Sequence, residues 1–94
     1  MKQIIVTITN ENHDYYYDIE IPVDLTGEKL LDDIVQTLNG YNPSLYLQIF
    51  NSELFCNRLK RKLEAEDTPE QIGIWNGDFI TIKRKGQSYA RDYI

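Results

Sequence analysis

The sequence predicts an α+β domain in which one main helix packs on a single face of a mixed four- to five-stranded sheet. Three observations predict it. Residues 4–9, 15–21, 45–50 and 79–83 are short apolar runs, most of them with the two-residue alternation of a half-buried strand. Residues 28–38 instead repeat their apolar side chains at helical spacing. A chain of 94 residues supports one domain with one small core, so a deep catalytic cleft is not expected.

The first element is a hairpin. In residues 4–9, Ile4, Val6 and Ile8 point to one face and Ile5, Thr7 and Thr9 to the other. Residues 10–14 are a polar connection. The next run turns Tyr15, Tyr17, Ile19 and Ile21 inward and leaves Tyr16, Asp18 and Glu20 in water. Pro22 ends the ladder because it has no N–H to donate.

A helix of about 14 residues, roughly 21 Å long, follows. Thr26 is placed to accept bonds from the first-turn amides, and Glu28 sits at the positive end of the helix dipole. Gly40, followed by Tyr41, Asn42 and Pro43, is the expected stop. Leu30, Leu31, Ile34, Val35 and Leu38 form one stripe, each contributing about 1.5–3 kcal/mol on burial before entropy is subtracted.

Residues 45–50 read as a third strand with Leu47 and Ile49 inside. Residues 51–53 form a tight turn into a short strand at Leu54 and Phe55. Residues 57–69 read as an exposed connection with one helical turn. The last strand, 79–83, buries Ile80 and Ile82, and Asn76-Gly77 before it supplies the positive φ that a tight turn requires. With one long helix only one sheet face is covered. A right-handed crossover then lays the last strand beside the first in parallel. This is the β-grasp arrangement, assigned to residues 1–85, with 86–94 as a tail.

Residues 17–22 (YDIEIP), the helix 28–38 and above all residues 74–82 (IWNGDFITI) resemble the YukD/EsaB family. These are small ubiquitin-like proteins encoded with type VII (ESX-type) secretion systems of Gram-positive bacteria. The resemblance spans residues 2–83. It implies a ubiquitin-like β-grasp fold and a noncatalytic cytoplasmic accessory that binds the secretion ATPase or a membrane subunit. Ubiquitin-type modifiers end in a free Gly-Gly, whereas here Gly86 is followed by Gln87, Ser88 and Tyr89. Conjugation is therefore not expected. Two other readings stay open: a small regulatory subunit of a multicomponent enzyme, and a modifier matured by cleavage after Gly86.

The chemistry-bearing residues are few. His13 lies in a polar loop beside Asp14, and no Ser or Cys nucleophile has the context of a triad. One Cys and one His cannot complete a structural zinc site or an iron–sulfur ligand set, and no glycine-rich phosphate loop is present, so no metal or cofactor is expected. Cys56 reads as a small core residue and, being the lone cysteine, cannot form an intramolecular disulfide. No signal-peptide pattern opens the chain and no run approaches the roughly 18 apolar residues of a membrane span, which makes the cytoplasm the expected location.

What remains is surface. The 10 basic and 15 acidic residues are uneven: residues 1–50 hold 8 acids and 2 bases, and residues 51–94 hold 7 acids and 8 bases. The basic runs 58–62 and 83–85 could contact phosphates, but a net charge of −5 opposes nucleic-acid binding. Two positions of ubiquitin's apolar recognition patch fall on Gln48 and Lys83 here, so ubiquitin receptors are not expected to bind. Ile5, Tyr16, Tyr46 and Trp75 are the exposed apolar candidates. A docking site for an acidic protein partner is assigned to Tyr46, Arg58, Lys60, Arg61, Lys62 and Trp75. The bland counterparts are a Trp75 ring that caps the edge of the core and basic runs that only aid solubility.

Overall fold

The computed structural model describes residues 2–85. The expected tail, 86–94, lies outside the described residues. The elements run β1 (Gln3–Asn10), β2 (Tyr16–Pro22), α1 (Gly27–Tyr41), two 3-10 turns (Pro43–Leu45 and Ile49–Asn51), β3 (Ser52–Cys56), β4 (Arg61–Lys62), a short α2 (Pro69–Ile72) and β5 (Phe79–Arg84). The five strands form one mixed sheet in the order β2-β1-β5-β3-β4. As expected, β5 lies beside β1 in parallel, with Thr7 opposite Phe79 and Asn10 opposite Ile82.

Strand parity decides the core. Val6, Ile8, Ile21, Ile80 and Ile82 turn toward α1, where Leu30, Ile34, Val35 and Leu38 meet them. Tyr15 and Tyr17 pack on the rim of this core, and Tyr16, Asp18 and Glu20 are exposed, as the alternation predicts.

Both ends of the helix differ from expectation. The Thr26 side chain makes no capping bond. The first-turn amides are satisfied instead by main-chain carbonyls of the turn before α2: Gly27 N–H donates to Asp67 O at 2.7 Å and Glu28 N–H to Ala65 O at 3.0 Å. That turn comes so close that a Cβ at Gly27 would collide with the Glu64 carbonyl oxygen. At the other end α1 passes through Gly40, which is exposed, and stops at Tyr41. The stop is set by Pro43, which disfavours helical geometry at Asn42; Asn42 is extended, with φ −146°.

The third strand is displaced. Residues 45–50 are not a strand, because Tyr46 takes a left-handed conformation (φ 51°) and the Asn39 side chain replaces a partner strand. Asn39 donates to Leu47 O and accepts from Leu47 N–H, both at 2.9 Å. Leu47 is half-buried and Ile49 is 42% exposed. The strand starts at Ser52, where a turn had been expected, and buries Ser52, Leu54 and Cys56. The connection after it is also more ordered than expected. Cys56 pairs with Arg61 and Phe55 with Lys62 in a hairpin, and Thr68 caps α2 by accepting from Gln71 N–H.

Candidate protein-binding surface

The turn into β5 is the most heavily bonded non-repetitive segment. Gly77 supplies the positive φ (91°), and Asp78 N–H closes the turn on Trp75 O at 3.0 Å. The turn then docks on β1: Asn76 Oδ1 accepts from Ile5 N–H at 2.7 Å, Gly77 N–H donates to Ile5 O at 2.7 Å, and Thr7 N–H donates to Asp78 O at 2.9 Å. These bonds explain why an Asn-Gly-Asp order serves here: side-chain acceptors flank the one residue that must be glycine.

Arg58 completes this turn from the β3–β4 loop. Its Nε and Nη2 donate to the two carboxylate oxygens of Asp78, each at 2.8 Å, and Nη2 also reaches Gly73 O. The guanidinium lies 3.7 Å from the centroid of the Trp75 ring. Asp78 is 8% exposed, and its Oδ2 also accepts from Trp75 N–H at 2.8 Å. The Arg58 bond holds the Asp78 carboxyl below its ordinary range, with burial working the other way; the same bond raises Arg58. Thus Arg58 and Trp75, assigned to partner binding from sequence, do meet, and they meet around an internal carboxylate.

Two of the other assigned cations are also engaged within the chain. Arg61 pairs with Asp67 at 2.6 Å and Lys62 with Glu64 at 3.7 Å. Lys60 is exposed, at a left-handed loop position (φ 55°). Tyr46 is 82% exposed but does not join the others. It lines an open cavity of about 530 Å³ with Asn10, Glu11, Lys83 and Arg84, at the end of β5 opposite Trp75.

His13 sits in the exposed β1–β2 loop and stacks on Tyr16 with 6.1 Å between ring centroids. Cys56 is buried, and burial is the main cause that pushes its thiol pKa up, away from the nucleophilic form. Among the described residues no group of three His, Cys, Asp or Glu side chains is placed to hold a metal ion, and no helix is long and apolar enough to cross a membrane.

Neither a protein-family model nor a curated protein sequence matches the chain. Solved structures do. A ubiquitin-like domain of an Arabidopsis thaliana protein superposes with a TM-score of 0.71 at 18% identity, over 94% of this chain and 83% of that one. The ubiquitin of Caldiarchaeum subterraneum does so at 0.70 and 14%, over 89% and 95%. The ubiquitin-like domain of a Mycobacterium tuberculosis type VII secretion system protein gives 0.69 at 16%, over 88% and 99%.

The fold is ubiquitin-like. On this ubiquitin-like domain the open sheet face differs from the surface expected of it. Gln48 lies outside β3, so the β3 residues on that face are Glu53 and Phe55. Lys83 does face outward, with its Nζ 3.9 Å from the Phe55 ring centroid. The apolar part of the face lies at Ile5 (48% exposed), Tyr16 (57%) and Phe79 (46%), and the Tyr16 and Phe79 rings meet edge to face at 6.3 Å. Sequence reasoning had named Ile5 and Tyr16 but missed Phe79, whose parity opposite to Ile80 was the available signal. Asp78 was missed for a different reason. Its partner lies 20 residues away, and no local pattern joins them.

Proposed function

We propose that this chain is a noncatalytic, ubiquitin-like adaptor of a type VII secretion system that acts by noncovalent protein binding in the cytoplasm. The observation that carries the reading is the run 74–82, whose resemblance to the YukD/EsaB ending is the most specific feature of the sequence. The likeness to a mycobacterial type VII secretion domain supports it at the level of fold. The noncovalent mode is supported by the residues after β5, which carry Gly86-Gln87 in place of Gly-Gly. The proposed partner is the secretion ATPase or a membrane subunit of the machine, met through exposed aromatic side chains such as Trp75 with charged groups around them.

The test is affinity capture of tagged protein from its source organism, analysed both under native and under denaturing, reducing conditions. The native capture is expected to contain the type VII ATPase or a membrane subunit, and the denaturing blot a single unconjugated species. A ladder of heavier species lost on deleting Gly86 would overturn the noncovalent mode, and capture without any secretion component would overturn the assignment.

A further inference from the structure

The end of the molecule where β5 leaves the sheet is aromatic. All five tyrosines among the described residues lie there: Tyr15, Tyr16 and Tyr17 at the start of β2, Tyr41 in the last turn of α1 with its ring 5.6 Å from that of Tyr17, and Tyr46 in the connection to β3. That connection faces two ways. Leu45 and Leu47 pack on the core, and the Asn39 side chain pins Leu47, whereas Tyr46 is 82% exposed and Phe50 76%. Tyr46 reaches the outside through its left-handed backbone (φ 51°), a costly conformation for a bulky residue whose ring is then left in water.

The same end carries a basic run. Arg84 stands opposite Ser52 and Lys85 N–H donates to Asn51 O at 2.9 Å, so the run leaves the sheet beside Phe50 and Asn51. Arg84 and Lys85 are exposed and form no ion pair among the described residues. Three acids share this end, each answered within the chain: Glu11 accepts from Arg84 N–H at 3.5 Å, Asp14 accepts from the Asn10 side-chain amide at 2.9 Å, and Glu53 stands opposite Lys83. The acidic surplus lies elsewhere, on Asp18 and Glu20 of β2, Asp32 and Asp33 of α1, and the turn from Glu64 to Asp67. The open cavity between these segments, lined by Asn12, Gln48, Asn51 and Arg84, is polar and gives an apolar partner segment little to bury against. It suits a hydrated, anionic headgroup. A phenol ring that buries its body and keeps its hydroxyl wet belongs at the boundary between headgroups and acyl chains, where a neighbouring cation adds attraction to anionic lipid.

We propose that this end of the domain rests on an anionic lipid surface, with Tyr46 and Phe50 entering the headgroup region and Arg84 and Lys85 meeting lipid phosphates. Attachment of this kind needs no membrane-crossing helix, and no described helix is long and apolar enough to be one. Two weak signals, a few aromatic rings and a short basic run, combine into reversible binding. The acids of β2 and α1 stay farther from the lipid, and salt screens their repulsion beyond about 8 Å.

The experiment is sedimentation of the full chain with vesicles of phosphatidylcholine, either alone or mixed equally with phosphatidylglycerol. Binding to the mixed vesicles only is expected, and it should fall as sodium chloride is added. Arg84→Gln combined with Lys85→Gln should weaken it about thirtyfold, the change expected for two cations near an anionic surface. Tyr46→Asn, which suits the left-handed backbone better, combined with Phe50→Ser should weaken it about tenfold with the fold kept. With brominated lipids, Trp75 at the opposite end should keep its fluorescence, whereas Tyr46→Trp made together with Trp75→Phe should be quenched. Equal sedimentation with both vesicle types or with neither, undiminished binding of both folded double variants, or quenching of Trp75 would each overturn the proposal. So would displacement by inorganic phosphate beyond that by chloride of equal ionic strength, which would assign the site to free phosphate. Vesicles alone carry the test, so its outcome is independent of whether secretion components are captured.

Discussion

Arg58 holds Asp78 through two parallel hydrogen bonds of 2.8 Å while its guanidinium covers the Trp75 ring, so one side chain joins the β3–β4 loop to the turn that launches β5. A paired guanidinium and carboxylate of this geometry is a stronger and more directional link than most surface ion pairs. Here it fastens a turn that itself docks on β1 through three further hydrogen bonds.

The pair makes stability depend on pH at the acid end. The folded-state pKa of Asp78 lies below its ordinary value of 3.8, with the Arg58 bond as the main cause. Its contribution is therefore fully present above the unfolded pKa and is lost as pH falls through the lower folded value. Thermal unfolding followed below about pH 4 should show the Asp78→Asn variant losing less stability per pH unit than the parent. Parallel slopes in that window would contradict the assignment.

Two glycines of the same helix should respond oppositely to alanine. Gly40 is exposed, has nothing within 4 Å of an added Cβ and lies inside α1, so Gly40→Ala should stabilise by about 0.4–1 kcal/mol. At Gly27 the added methyl meets the Glu64 carbonyl, a backbone atom that cannot move aside alone. Gly27→Ala should destabilise, by about 1–3 kcal/mol as for other overpacked sites, and denaturant titration of the two variants measures both signs.

Asn39 acts as a stand-in for a strand. Removing its amide in Asn39→Ala leaves the half-buried N–H and C=O of Leu47 without partners, a loss of about 1–3 kcal/mol. Hydrogen exchange should quicken first at Leu47 and through residues 42–51. An unchanged exchange pattern there would show that the segment is held by other contacts.

For recognition, Trp75 and the cations make separable predictions. Trp75 is 64% exposed, so Trp75→Ala should leave the domain folded and weaken partner capture at any salt concentration, because a buried aromatic anchor acts on release. Charge reversal at Arg61 and Lys62 should weaken it only at low salt, since rim charges act on encounter. If both folded variants captured secretion components normally, binding would belong to the acidic face that carries Asp18, Glu20, Asp32 and Asp33.

The legible part of the fold was the part governed by periodicity. The parity of 4–9, 15–21 and 79–83 and the stripe from Leu30 to Leu38 decide which side chains enter the core, because an apolar face has to be covered whatever partner covers it. The glycine of the β5 turn was legible too, since Gly77 occupies the positive φ it was read to supply.

The rest was decided by groups that meet only after the chain has folded. The carbonyls of Ala65 and Asp67 replace the Thr26 cap, and the Asn39 amide replaces a neighbouring strand along residue 47. Of the assigned binding residues, the sequence alone shows a run of cations and a tryptophan; the fold supplies Asp78, Asp67 and Glu64 as their internal partners and carries Tyr46 to the far end of β5. Hydrophobic pattern is a property of neighbouring residues in the chain. Hydrogen-bond and ion-pair partners are a property of distance in space, and across 20 residues that distance is fixed only by the sheet.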